Sequence, residues 1–233
     1  MAKNNNNAKQ KPYHEGHRDR LRERFKRAGI KGIQDYELIE LVLFNSIQRR
    51  DVKPLAKELL KQFNTFAGVM DAPLERLIEI KGISERTAGN LKLHQATAEK
   101  IAMSRLDGKQ IISSWDELLR YGRTAMAEKD VEQFRVLYLN RKNGLIADEL
   151  QNTGTVDHTP VYPREIVKRA LILSASAIII MHNHPSGDPT PSKADITMTN
   201  EIDNICKSMG IVLHDHLIVA RRDVLSFKSE GLL

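Results

Sequence analysis

The residues with the most chemistry in this 233-residue chain fall in one stretch, His182 to Asp195. His182 and His184 sit one residue apart. A turn rich in Pro and Gly (Pro185-Ser186-Gly187, then Pro189 and Pro191) follows, and then Ser192 and Asp195, three apart. Residues two apart on a strand point to the same side, so a strand running into His182 aims both imidazoles at one point. The prolines stiffen the loop and lower the entropy lost in fixing it. Asp195, on the first turn of the following helix, can return as a third ligand. Neutral imidazole and carboxylate suit zinc, and a fourth position stays open for water, whose pKa the metal lowers to about 7. One Zn2+ per chain serving hydrolysis is the chemistry this set can do. A plainer reading of the same residues is a surface histidine pair followed by a helix cap, with Ser192 as N-cap and Asp195 as the acidic third residue. Ser192 can cap the helix and face the site at once.

The elements around this stretch read as a layered α/β domain. Ala175 to Met181 is an apolar run suited to a buried strand. It leads to the carboxyl edge where open α/β sheets place their sites. Ser192 to Met209 reads as a helix with Ile202, Ile205, Cys206 and Met209 inward, ended by Gly210. Ile211 to Ala220 is another strand. Upstream, Ser114 to Met126 is helical, Phe134 to Leu139 is β-rich, and Asn143-Gly144 signals a hairpin to Leu145–Leu150. Pro163 opens a helix carrying Ile166, Val167, Ala170 and Leu171. A second His-x-His, His214 and His216, precedes Leu217–Ala220. It offers either a structural pair or a second metal, and Asp215 or His216 can orient a ligand imidazole.

From His17 to about Arg105 the pattern is helical. Helices are expected over Arg18–Ala28, from Asp35 through Leu38, Leu41, Val42 and Ile47, over Pro54–Phe63 and Leu74–Ile80, and from Glu85 to Met103. The expected organisation is a disordered tail at 1–14, an all-α domain at 15–106 and an α/β domain at 111–233, with Leu106-Asp107-Gly108-Lys109 between the last two. The net charge of +6 is uneven: residues 1–110 hold 22 Lys+Arg against 14 Asp+Glu, and the remainder 14 against 16. A basic half suggests an anionic partner, nucleic acid first, or simply a solvated basic surface. The first residues carry no apolar core of a signal peptide, and no apolar run reaches membrane length. One cysteine, Cys206, permits no internal disulfide, so a reducing cytoplasm is the expected compartment and Cys206 a core residue.

The spacing His-x-His, seven residues, Ser-x-x-Asp resembles the JAMM motif of MPN-type metallopeptidases. The longer string from His182 through Pro185-Ser186-Gly187-Asp188-Pro189-Thr190-Pro191 to Asp195 resembles the bacterial RadC-like branch, and Arg164-Glu165-Ile166 and Asp215-His216 fit it as well. The resemblance covers 111–233 closely. It implies a three-layer, cytidine-deaminase-like (MPN) domain with a mixed sheet and a zinc peptidase or isopeptidase site acting on an unknown protein or peptide. Carried over, His182, His184 and Asp195 hold the metal, and Ser192 helps hold the oxyanion. Glu132, just before the Phe134 strand, is the general base on metal-bound water. Glu165 is the rival for that role, with a helix N-terminus as its simpler explanation. The letters His-Asn-His do not make an HNH nuclease, which spreads its three residues over a longer element. A zinc deaminase needs a Cys pair that lone Cys206 cannot supply.

Leu74-x-x-Leu77-Ile78-x-Ile80-Lys81-Gly82-Ile83-Ser84-x-x-x-Ala88 resembles a helix-hairpin-helix, in which hairpin amides receive a DNA phosphate. That makes Lys81, Gly82, Ser84 and Arg86 candidate DNA contacts, with Lys92 adding charge. Ser84 stands where the motif usually has a second glycine. A helical hairpin used only for packing fits too. The competing functions are therefore a zinc amide hydrolase, a DNA-associated repair or recombination accessory protein whose MPN domain is structural, and a metal-dependent nuclease.

Overall fold

The computed structural model describes residues 16–106, 110–153 and 161–233. The expected tail at 1–14 and residues 107–109 of the expected boundary lie outside the described residues. The chain divides into two compact units between His94 and Gln95, within one long helix.

The first unit is helical throughout its described residues: α1 (His17–Ala28), α2 (Asp35–Leu43), α3 (Lys53–Phe63), α4 (Phe66–Asp71), α5 (Leu74–Ile78) and the start of α6 (Glu85–Ser104). A reciprocal cap between Gln34 and Glu37 starts α2, and Pro54 sits in the first turn of α3, where its missing N–H costs nothing. Ile39, Leu43, Leu59, Val69, Leu77, Ala88 and Leu91 form the core. The second helix stops earlier than its apolar pattern implies. The chain turns after Leu43, yet Ile47 still packs against the core from beyond the turn. α4 has no counterpart in the sequence reading. At six residues it is too short to show a period, and the cap bond from Gly68 N–H to Thr65 Oγ1 (2.8 Å) is what marks its start.

The second unit continues through α7 (Trp115–Met126), β1 (Gln133–Leu139), β2 (Leu145–Thr153), α8 (Pro163–Ile172), β3 (Ala177–Asn183), α9 (Lys193–Ser208), β4 (Val212–Val219) and β5 (Val224–Ser226). The five strands form one mixed sheet in the order β2-β1-β3-β4-β5. β1 runs antiparallel to both β2 and β3, β3 and β4 are parallel, and β5 returns antiparallel. The hairpin at Asn143-Gly144 forms, but its connection is five residues long. Asn143 takes φ 58°, and Asn140 N–H donates to the Gly144 carbonyl at 2.9 Å.

Alternation along β1 and β3 splits the core into two layers. Leu137, Leu139, Ile179 and Met181 face α7, meeting Leu118, Tyr121 and Ala125. Phe134, Val136, Ile178 and Ile180 face α8 and α9, meeting Ile166, Ala170, Ile202 and Cys206. The result is the three-layer α/β/α arrangement with a mixed sheet, preceded by helices. Burying both faces of β3 explains its unbroken apolar run, since all seven of its residues are buried. Cys206 is an interior residue, and burial pushes its thiol up to about 11. No helix among the described residues is long and apolar enough to cross a membrane.

Candidate metal centre

β3 extends two residues further than its apolar run, so His182 lies inside the strand. His184 keeps the alternation because its N–H donates to Val219 O at 3.0 Å, adding one rung to the parallel ladder beyond β3. Both imidazoles therefore emerge on one side of the sheet. The loop reverses at Gly187, whose φ of 86° favours glycine, and the chain returns as α9. Ser192 caps that helix: its Oγ accepts from Asp195 N–H (3.1 Å), while Asp195 Oδ2 accepts from Ser192 N–H (2.7 Å). The cap sets the Asp195 carboxylate in place. Its Oδ1 lies 3.4 Å from His182 Nε2 and its Oδ2 3.6 Å from His184 Nε2. Glu132, at the mouth of β1, brings Oε1 to 4.0 Å from His182 Nε2. The pairing of Phe134 with His182 puts it there. One ligand atom from each of Glu132, His182, His184 and Asp195 lies within 4.8 Å of the others.

With buried His182 and His216 neutral, the hydrogen bonds give the protonation pattern. A carbonyl only accepts, so Thr199 donates its hydroxyl proton to Asp195 O (2.6 Å). The Thr199 oxygen then accepts from His216 Nδ1–H, also at 2.6 Å. Neutral His216 has a bare Nε2, which accepts from His182 Nδ1–H at 2.7 Å. This leaves His182 Nε2 bare. On the other side His184 Nδ1–H donates to Asp188 O at 2.7 Å, which leaves His184 Nε2 bare as well. The two bare nitrogens face each other at 2.9 Å beside a carboxylate.

Three electron-rich groups converge with no donor between them, an arrangement that calls for a proton or a metal cation. The imidazole nitrogens lie 2.9 Å apart and 3.4 and 3.6 Å from the two Asp195 oxygens in turn, near the edge of roughly 3.3 Å of a tetrahedron with arms of about 2.05 Å, and imidazole and carboxylate are donors that suit zinc. Burial drives His182 down to about 4, against the pull of Asp195, and holds His216 well below its ordinary value, so both stay neutral. The Asp195 carboxylate, 3.6 Å from Nε2, raises His184 by favouring its protonated form. Burial alone would raise the Asp195 carboxyl, but His184, His182 and the cap hold it below the usual carboxylate range.

Other expected residues lie elsewhere. Glu165, the expected rival base, is exposed on α8 beside Arg164 (3.5 Å) and Lys168 (3.6 Å) and lies outside the cluster. His214 bonds to Asn143 Oδ1 at 2.8 Å, and among the described residues no second group of metal-binding side chains converges there. Asp215, expected to orient a ligand imidazole, bonds to none directly. It accepts from His216 N–H (2.7 Å), Lys228 N–H (3.0 Å) and Ser226 Oγ (2.5 Å), and so ties β4 to the segment whose Phe227 ring stacks 4.4 Å from His216. Thr199 is absent from the sequence reading. Its signal was available: it stands four residues after Asp195, on the same helix face.

In the first unit Lys81, Gly82, Ser84 and Arg86 are all exposed on the α5–α6 hairpin, and Gly82 has φ 105°. Ser84 caps α6, its Oγ accepting from Thr87 N–H at 3.3 Å. Arg50 donates to the Gly82 carbonyl at 3.0 Å. Lys92, expected to add charge, is partly buried. Its ammonium donates to the carbonyls of Met70, Asp71 and Ala72 (3.2, 2.8 and 3.1 Å), closing the end of α4.

Comparison with known proteins identifies the family of each unit. The model of the RadC-like JAB domain matches residues 112–232, and that of the UPF0758 N-terminal domain matches residues 15–89. A UPF0758 protein of Ruegeria pomeroyi is 57% identical over 221 residues, covering 95% of this chain and 99% of its own length. A UPF0758 protein of Rhodobacter capsulatus is 55% identical over 213 residues, covering 91% of this chain and all of its own.

Proposed function

The chain belongs to the UPF0758 family and carries a RadC-like JAB domain, and from that premise we propose that it is a zinc-dependent hydrolase of amide bonds in a protein or peptide. The observation that carries the reading is the pair of bare imidazole nitrogens, 2.9 Å apart, beside the Asp195 carboxylate. His182, His184 and Asp195 would hold one Zn2+. The metal, when bound, supplies Lewis acidity and an acidified water. Glu132, its carboxylate 4.0 Å from His182 Nε2, would take the proton from the attacking water and return it to the leaving amine. The Ser192 oxygen accepts a cap bond, which leaves its own proton available to an oxyanion. A cleft of about 570 Å³ opens onto the centre. Phe134, Val161 and Met198 give it apolar walls, and Lys193, Thr197 and Glu201 a polar rim, a lining suited to an extended peptide.

The test is metal content. Protein purified without chelator should carry close to one zinc per chain, and Asp195→Ala should carry little. Absence of stoichiometric zinc in the unmutated protein would refute the reading.

A second reading concerns the helical unit. Exposed Lys81 and Arg86 beside Gly82 favour phosphate contact by the hairpin. A gel shift of the full chain that weakens with salt, and weakens further in Lys81→Glu/Arg86→Glu, would support DNA binding. No shift at low salt on duplex, branched or single-stranded DNA would remove it.

A further inference from the structure

Asn183 lies between the two histidines and is 1% exposed, yet strand alternation turns it away from them. Its amide is fully committed to backbone. Oδ1 accepts from Gln133 N–H at 2.8 Å, and Nδ2 donates to Val131 O at 3.1 Å and Lys129 O at 3.4 Å. The orientation of the amide is unambiguous, because the oxygen faces an N–H and the nitrogen faces two carbonyls.

The two stronger bonds grip the peptides on either side of Glu132, the N–H that follows it and the carbonyl that precedes it. In a parallel sheet a neighbouring strand holds a residue in the same way. Here one side chain replaces the strand. It continues the β1–β3 ladder one step past the last paired residues, Phe134 and His182.

We infer that Asn183 is the positioning residue for Glu132: it splints the loop so that the carboxylate stands beside the metal-binding nitrogens. The inference rests on the hydrolase reading for its purpose, though not for its geometry. It also gives the residue between the histidines a role separate from metal binding.

The experiment uses the full chain, Co2+ as the metal probe, and the variants Asn183→Ala, Asn183→Asp, Glu132→Gln and Asn183→Ala/Glu132→Gln. Asn183→Asp has nearly the native shape, keeps the acceptor for Gln133 and sets a charge against the two carbonyls, so it serves if the alanine variant does not fold. In the metal-free protein, exchange of the Gln133 amide proton should be about 10-fold faster in Asn183→Ala. Co2+ affinity should change by far less than the roughly 10- to 100-fold loss expected when a ligand's own hydrogen-bond partner is removed. The visible spectrum of Co2+-loaded Asn183→Ala should move to that of Glu132→Gln, and the double variant should show no further change.

Three outcomes each overturn the inference: unchanged Gln133 exchange, an unmutated spectrum in Asn183→Ala or additive spectral shifts, and loss of Co2+ binding, which would make Asn183 a support for the ligands. If the unmutated protein takes up no Co2+, the hydrolase reading falls. The splint is then judged on Gln133 exchange alone, faster exchange supporting it and unchanged exchange overturning it.

Discussion

Replacing Thr199 with valine tests the derived protonation pattern at its most remote point. Thr199 is fully buried and touches no metal-binding atom. It acts only by accepting from His216 Nδ1–H and donating to Asp195 O. Valine keeps the shape and removes the acceptor. If the His216 proton stays on Nδ1 it is buried without a partner, at a cost of about 1–3 kcal/mol. If it moves to Nε2 it meets the proton on His182 Nδ1, only one bond length away at 2.7 Å between nitrogens. His182 must then carry its proton on Nε2, the nitrogen meant for metal. The metal-free protein takes the cheaper arrangement, and metal binding must reverse it. Zinc affinity should therefore fall roughly 10- to 100-fold, about 1.4–2.8 kcal/mol. Thr199→Ser keeps the hydroxyl and is the control. It loses one buried methyl, about 0.8 kcal/mol of stability, with affinity near that of the unmutated protein. Competition against a chromophoric chelator measures both variants. Equal affinity in the valine and serine variants would show that the chain of hydrogen bonds does not govern the state of His182.

The remaining predictions address the base, acid stability and the cysteine. Glu132→Gln should keep its zinc, because the carboxylate lies 4.0 Å from the nearest ligand nitrogen, while any amide hydrolysis falls by about 10²-fold or more; loss of metal instead would make Glu132 a ligand. In the metal-free protein His182 titrates near 4 when folded and near 6.5 when unfolded, so the unfolded chain binds the extra proton in that window. Stability from this residue is then present above about pH 6.5 and lost as pH falls toward 4, by about 3 kcal/mol. A melting curve that is flat between those values would contradict it. Zinc should also dissociate more readily as the medium is acidified, because protons compete for the bare nitrogen of His184, which Asp195 makes more basic; chelator competition across the same pH range measures this. Cys206 should resist thiol reagents in the native protein and react only on unfolding, since burial raises its pKa to about 11; rapid labelling under native conditions would mean that α9 opens locally.

What the sequence could reveal divides by distance along the chain. The motif from His182 to Asp195 is local, so strand alternation, a glycine turn and a helix cap were enough to bring three ligands together on paper. The same local logic placed α9 and β4 to within one or two residues. Glu132 is different. It is fifty residues from His182, and no periodicity connects them. Only the β1–β3 register does so, and the resemblance to JAMM proteins had to stand in for it. The residues that govern the histidines' protons were least visible. His216 is thirty-four residues from His182, and the His-x-His pattern at 214–216 fits a structural pair and, less well, a second metal site, so it does not by itself name His182 as the partner. Thr199 looks like any helical threonine. Its role exists only where α9 packs against β4, so that a hydroxyl already bonded to its own helix faces the one imidazole that needs an acceptor. Asn183 shows the same limit inside the motif itself. As a letter between two histidines it carries no role in the sequence beyond a nuclease look-alike that the spacing rejects. In the fold it faces the other way and spends its amide on backbone. The motif thus identifies the atoms that can meet a metal, whereas the groups that set their protonation and position come from tertiary contacts, and variants at Thr199 and Asn183 separate those two kinds of residue without touching a ligand.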